Sequence, residues 1–344
     1  MSAQIVEAQK AEPIRWQPIV AKYAKPDMRC SLWQVANTVI PYVLLWGLMA
    51  WSVHISYWIT LGLAFLAAGF LMRTFIIFHD CGHGSFFKSK KANDIVGSIT
   101  GFLNFTPYYR WKHDHAIHHA TAGDLDRRGV GDVYTMTVRE YLESPWWRKA
   151  GYRVMRNPFF LFGIAPLAVF LITQRIPVAW QGKRERASIW WTNLALVVVI
   201  GLLCWLLGWK TFVKVQLPII WISSTVGIWL FYVQHNFLPS YWERHADWEF
   251  AKAGLQGSSF YKLPALLQWF SGNIGFHHIH HLSPKVPNYN LPKCHEENPL
   301  FQVRPLTIRA SLKSISIRLY DEERKMLVGW DALKLYKAQK AEAT

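Results

Sequence analysis

The chain has 344 residues, 51% of them hydrophobic and 17% charged, and carries 19 Trp, 20 Phe and 14 Tyr; soluble domains of this size seldom hold so many large aromatics. Lys and Arg outnumber Asp and Glu by 38 to 22, a formal charge of +16, which suits either nucleic acid or an anionic membrane face. Composition excludes disorder and collagen, and four scattered cysteines (Cys30, Cys81, Cys204, Cys294) form neither a disulfide framework nor a CxxC metal site.

Ahead of residue 35, Lys10, Arg15, Lys22, Lys25 and Arg29 are mixed with acids, and no short apolar core leads to a small-residue cleavage site. No signal peptide is expected, and the first apolar run is expected to direct insertion. Residues 35–53 form 19 residues without a charge, and 58–78 form 21 with Arg73 alone. Each is long enough, at about 1.5 Å per helical residue, to cross a hydrocarbon core of about 30 Å. The four residues 54–57 between them predict a hairpin. Residues 158–173 are apolar but short and carry Pro166, which predicts an interfacial or re-entrant segment. Uncharged runs at 187–207 and 215–233, joined by 208–214, predict a second hairpin.

Of the Lys and Arg residues, five precede the first hairpin, 16 lie in 79–188 and 14 follow 233, whereas the links hold only Lys210 and Lys214. The positive-inside tendency then places the three large polar regions in the cytoplasm. All 22 acidic residues fall in the same regions, so the surplus charge reads as a topology signal and docking face, with no nucleic-acid partner expected. The expected fold is an all-α integral membrane protein, one domain over 1–344, with four transmembrane helices in two hairpins beneath a cytoplasmic helical cap. Residues 311–340 mix Leu, Ile, Trp and Tyr with Lys and Arg, as an interfacial or domain-packing helix would, or equally a plain cytoplasmic cap.

Ten of the 14 histidines fall in three short clusters: His79-Asp80-Cys81-Gly82-His83, His113-Asp114-His115-Ala116-Ile117-His118-His119, and His277-His278-Ile279-His280-His281. Helical residues three and four apart share a face, so HxxxH presents two imidazoles together and HxxHH three. Imidazole suits Fe, Zn, Cu and Ni, and eight such ligands exceed the four of a tetrahedral zinc, which argues for two ions. Isolated His54, His245 and His295 read as structural residues.

The boxes HDCGH, HAIHH and HHIHH on a four-span membrane chain resemble those of the membrane fatty acid desaturases. The resemblance extends through Phe78–Phe87, through His118-His119-Ala120-Thr121 to Gly131-Asp132, and from Gly272-Asn273-Ile274-Gly275 to Asn290. It is most similar to the bacterial acyl-lipid enzymes of the Bacillus delta-5 type, and less so to the delta-12 (omega-6) enzymes. The resemblance implies a diiron centre, a cytoplasmic-side site in the bacterial inner membrane, and nine ligands. These are His79 and His83; His115, His118 and His119; His277, His280 and His281; and His235, in the segment Gln234-His235-Asn236. His278 is offset by one position and is expected to face groups behind the ligands, His113 to point elsewhere, and Asp80 and Asp114 to be placed to accept an imidazole N–H.

Reducing O₂ to two waters takes four electrons, and making one C=C supplies two. The chain has no GxGxxG start, iron–sulfur Cys set or haem domain, so an external donor is implied, ferredoxin by resemblance, attracted by the basic face. A fatty acyl lipid is the expected substrate, with Trp229, Phe231, Trp269, Phe270 and Phe276 as candidate channel residues. A hydroxylase or ketolase acting on another apolar substrate would use the same boxes. A metal transporter is a remoter alternative, since transport sites lie near the bilayer midplane.

Overall fold

The computed structural model describes residues 15–336; Lys10 and residues 337–340 of the C-terminal stretch lie outside them. Among these residues four helices are long and apolar enough to cross a membrane. They are α1 (Met28–Ser52), α2 (Tyr57–His83), α6 (Lys183–Leu207) and α7 (Trp209–His235). Between α2 and α6 lie α3 (Lys90–Leu103), α4 (Tyr108–Thr121) and α5 (Trp146–Met155), and α8 (His277–Leu282) follows α7.

Each long helix overruns its uncharged run. Counting uncharged residues stops at the first polar side chain, but the helical backbone continues wherever its N–H and C=O groups stay paired. The Asp27 carboxylate accepts from the Cys30 N–H at 2.9 Å and starts α1 well before residue 35. Helix α2 continues to Gly84, whose φ of +65° supplies the left-handed cap. The first histidine box therefore lies on the last turns of a spanning helix rather than beyond it. Likewise His235 is the last residue of α7, and the expected link 208–214 contracts to Gly208.

Helix α2 is central, packing on α1, α3 and α7. Its Ala64, Ala67, Ala68 and Leu71 meet Tyr42 and Met49 of α1 and Val215 and Ile219 of α7, small residues that let helices approach closely without a hydrophobic driving force from lipid. Helix α6 exposes Trp190, Trp191, Val197, Val198 and Trp205, the surface a lipid-facing helix presents. The Tyr57 hydroxyl donates to the Lys214 carbonyl at 3.4 Å, so both interhelical links sit at one end of the bundle and the histidines at the other. Arg73, the one charge in its run, is buried between elements: Nε donates to Thr38 Oγ1 at 3.1 Å, and the guanidinium lies 4.0 Å over the Trp269 ring.

The segment at 158–173 is a π-turn (Phe160–Ile164) running into helix Ala165–Leu171 and bent 58° from α5. Pro166 has no N–H to bond the Phe162 carbonyl, and Thr225 Oγ1 donates to that oxygen instead at 2.8 Å, while Trp221 Nε1 donates to Gly163 O at 2.9 Å. The segment thus leans on α7, which satisfies the backbone that proline frees.

The C-terminal stretch departs from the expected single helix. A short helix at Ile308–Ser311 gives way to an antiparallel hairpin of Leu319–Asp321 with Met326–Val328. Its inward residues Leu319, Tyr320 and Leu327 join buried clusters with Met136, Val138 and Trp242. All three residues of the first strand are buried, so the apolar residues there pack on both faces of a strand rather than along one helix face.

At Gly97 on α3, a Cβ would come within 2.2 Å of the Tyr108 ring, which is fixed by its hydroxyl donating to Cys81 O at 2.7 Å. Gly97→Ala is expected to destabilise the protein by about 1–3 kcal/mol, read as a lower midpoint of thermal unfolding in detergent. Gly62→Ala, with nothing within 4 Å of the added carbon, should not lower it. Equal midpoints for the two variants would contradict this packing.

Candidate metal centre

Nine histidines from four helices converge in two groups, and within each group one nitrogen per residue lies within 4.8 Å of the others. The first group is His79 and His83 of α2, His115 and His119 of α4, and His280 of α8; the second is His118 of α4, His235 of α7, and His277 and His281 of α8. The division follows from helix geometry. Residues four apart point the same way, so 115/119 serve the first group and 277/281 the second. The residue at the third step is rotated aside, so His118 and His280 each cross to the other group. The two HxxHH boxes therefore both contribute to both groups, side by side, with His119 and His281 stacked at 4.2 Å between ring centroids.

The donor set fits metal ions better than it fits itself. His235 Nε2 lies 3.2 Å from His118 Nε2 and 3.0 Å from His277 Nε2. His119 Nε2 lies 3.1 Å from His115 Nε2 and 3.0 Å from His280 Nε2. An imidazole nitrogen has either one N–H or one lone pair, so it can satisfy only one of two such neighbours. In addition, His83 Nε2 and His281 Nε2 are buried with no hydrogen-bond partner. A cation at the middle of each group satisfies all the lone pairs at once.

Electrostatics favour the ligand form. Burial, and then repulsion from neighbouring imidazoles, holds His115, His118, His119, His277, His280 and His281 well below the ordinary histidine range. They are neutral at pH 7, as metal ligation requires.

Around the groups, Asp80 Oδ1 accepts from His79 Nδ1 at 3.0 Å, which leaves His79 Nε2 for the centre. Asp114 has no such part: it meets His113 Nδ1 at 3.4 Å and Arg110 Nε at 3.6 Å, because position 114 is turned about 100° around α4 from His115. His113 is half exposed and belongs to neither group. His278 is turned behind the third box, with Nε2 donating at 3.0 Å to the Phe301 carbonyl and its ring against Phe260 and His295. That contact supports α8 from its far side, away from the nine grouped imidazoles. His295 packs on Phe260 and Phe276, and His245 Nδ1 is 2.9 Å from Asp124 Oδ2.

Of the five aromatics at first associated with an acyl channel, Phe231 lies 5.0 Å from the His118 ring and 5.4 Å from His235. Trp229 packs on Phe162, Trp269 and Phe270 pack on Phe70, and Phe276 stacks on Phe260. One neighbour escaped sequence reasoning: Trp111 stacks on His115 at 4.2 Å and explains Gly82 of the first box, where a Cβ would sit 2.9 Å from the indole. The four-residue step from 111 to 115 on one helix was the available signal.

Comparison with known proteins agrees with these features. A family model described as fatty acid desaturase matches residues 56–307. Over 316 residues the chain is 50% identical to a fatty acid desaturase of Bacillus subtilis (strain 168), covering 92% of this chain and 90% of that one. It is 28% identical to an sn-1 acyl-lipid omega-3 desaturase (ferredoxin) of Nostoc sp. (strain 36), covering 81% and 77%. It is also 28% identical to an sn-1 oleoyl-lipid 12-desaturase of Picosynechococcus sp., covering 77% and 74%.

Replacing His118 or His281 by Ala should cost about half or more of the bound metal, whereas His278→Ala, which removes only a support behind α8, should retain it. Metal analysis of the purified variants checks this, and equal losses from His118→Ala and His278→Ala would refute the grouping. The same burial carries a pH dependence. Below about 6.5 the unfolded chain binds protons that the buried imidazoles refuse, so stability falls as pH falls. The unfolding midpoint of metal-free protein should therefore drop between pH 7 and pH 5, and a flat or rising midpoint would mean the imidazoles are not held neutral.

Proposed function

The chain belongs to the fatty acid desaturase family, and on that premise we propose that it is an O₂-dependent acyl-lipid desaturase whose nine clustered histidines hold two iron ions. The observation that carries the metal reading is the pair of adjacent all-imidazole groups, each over-supplied with lone pairs. Two iron ions held there would supply the O₂ activation needed to take hydrogen from two adjacent unactivated methylenes, a step beyond any side-chain acid or base. The protein's own part is to keep the imidazoles neutral, fix their directions and exclude water. Burial accomplishes the first and last of these, and the Asp80–His79 hydrogen bond fixes one ring.

An acyl chain is the substrate class that suits a site at the end of four apolar helices. Phe231, against His118 and at the last turns of α7, is positioned to line its approach. The histidine end of the bundle is also the end from which the strongly basic polar regions extend; the positive-inside tendency supports a cytoplasmic-side site, and the similarity to the Bacillus subtilis protein supports a bacterial inner membrane. Each turnover needs two electrons from outside. The Nostoc relative is named for ferredoxin, as is a second, 27% identical sn-1 acyl-lipid omega-3 desaturase from Synechocystis. A small acidic donor of that kind suits the basic face of this chain.

Expression in cells lacking unsaturated lipids, followed by mass spectrometry of their fatty acid esters, tests the reading. New cis double bonds that require O₂ are expected, and their position defines the regioselectivity. Hydroxylated esters without new double bonds would replace the desaturase reading with that of a hydroxylase on the same boxes.

A further inference from the structure

Beyond the histidines, one chain of buried polar side chains runs from the first spanning helix to the metal groups. Gln34 of α1 donates from Nε2 to Asn288 Oδ1 at 3.0 Å. Asn288 donates twice to Asp80 Oδ2, from its backbone N–H at 2.7 Å and from Nδ2 at 2.8 Å. The other oxygen of Asp80 accepts from His79 Nδ1 at 3.0 Å. All four side chains are buried, with Gln34, His79, Asp80 and Asn288 at 4%, 3%, 2% and 1% exposure.

The direction of every hydrogen bond is determined by the carboxylate. Asp80 can only accept, so Asn288 must present its NH₂ to Oδ2 and its amide oxygen to Gln34, and His79 must carry its proton on Nδ1. The Nε2 lone pair of His79 then has one fate, to face the first histidine group. The segment holding Asn288 is itself tied down: Asn273 Nδ2 donates to the Asn288 carbonyl at 3.1 Å, and the neighbouring Tyr289 hydroxyl accepts from the Asp27 N–H at 2.9 Å. By contrast, the outward Nδ1 atoms of His118, His119 and His277 are buried with no partner. Among the described residues His79 is the one grouped histidine on a carboxylate.

We propose that Asn288, itself held by Gln34, is a positioning residue that fixes Asp80 and through it the tautomer and basicity of His79, so that it strengthens metal binding in the five-histidine group alone. This rests on the reading of the two groups as metal sites. Outer partners of ligating imidazoles are typically worth about 10–100-fold in metal affinity. The ordinary alternative, that Asn288 merely packs a turn against α1, predicts no preference between the groups and makes an isosteric replacement milder than a truncation.

Titration of metal-free, detergent-solubilised protein with Co²⁺, followed by optical absorption, separates these outcomes. Two binding events are expected in the wild type, and His118→Ala should abolish the one belonging to the four-histidine group and so identify it. Asn288→Ala should weaken the other event about tenfold or more and leave the four-histidine event unchanged. Asn288→Asp, which sets a second carboxylate against Asp80 Oδ2, should weaken it further than Asn288→Ala does. Gln34→Ala, the gentler change, should act in the same direction to a smaller extent. Equal affinities in wild type and all three variants, equal weakening of both events, or Asn288→Asp milder than Asn288→Ala would each overturn the proposal. Failure of the wild type to take up Co²⁺, or of His118→Ala to remove an event, would instead overturn the metal reading beneath it.

Discussion

The constraint on which the structure turns is the mismatch between the third and fourth steps of an α-helix. A residue four positions on is turned about 40° around the axis in one sense, whereas one three positions on is turned about 60° in the other. Each HxxHH box exploits both steps, giving a pair of imidazoles to one group and a single imidazole to the other. Because α4 and α8 do this in opposite senses, the two helices bridge the two groups twice. The separation of the groups is thereby fixed by rigid helical backbone, which moves far less than any loop. Neither helix can shift relative to the other without disturbing both groups.

That packing accounts for residues with no chemistry of their own. Gly82 lies between the two histidines of the first box because the Trp111 indole occupies the space a side chain would fill. Gly254 and Gly272 similarly admit Leu282, at the end of α8, and Ile76 of α2. Nine imidazoles drawn out of water leave a large unmet demand for partners, and an apolar wall intensifies it. The aromatic rings of Trp111 and Phe231 against His115 and His118 exclude water without offering a competing hydrogen bond. Metal ions are then the partners that satisfy the demand.

Much of this was legible in the sequence, for stated physical reasons. Runs without charge mark spans because lipid tolerates few charges, and the spacing within a box marks a helix face. What the sequence concealed was where side chains meet across distance. Arg73 looked like an interruption in a span, yet its charge is met by Thr38 and Trp269, 35 and 196 residues away. Asp80 and Asp114 occupy equivalent places beside a histidine in the string of letters, but only Asp80 faces one of the nine grouped histidines, since the two helices present different sides to the site. The hairpin at 319–328 left no mark in the sequence pattern because its first strand is buried on both faces over only three residues and so shows no alternation.

The placement of charge and of histidine on one end of the bundle is a single solution to two demands. Apolar helices bring an acyl chain to their ends without any need for polar recognition along their length, and the polar regions beyond those ends are where a protein donor in water can dock. A site for chemistry that needs both must sit at the boundary, on the last turns of spanning helices. The C-terminal turns of α2 and α7 hold His79, His83 and His235 there. Their backbone carbonyls also place the negative end of each helix dipole beside the histidines, a field that favours cations. Helix direction, charge distribution and ligand position thus reinforce one another, and reversing α2 and α7 would put the same residues against the unfavourable end of the dipole.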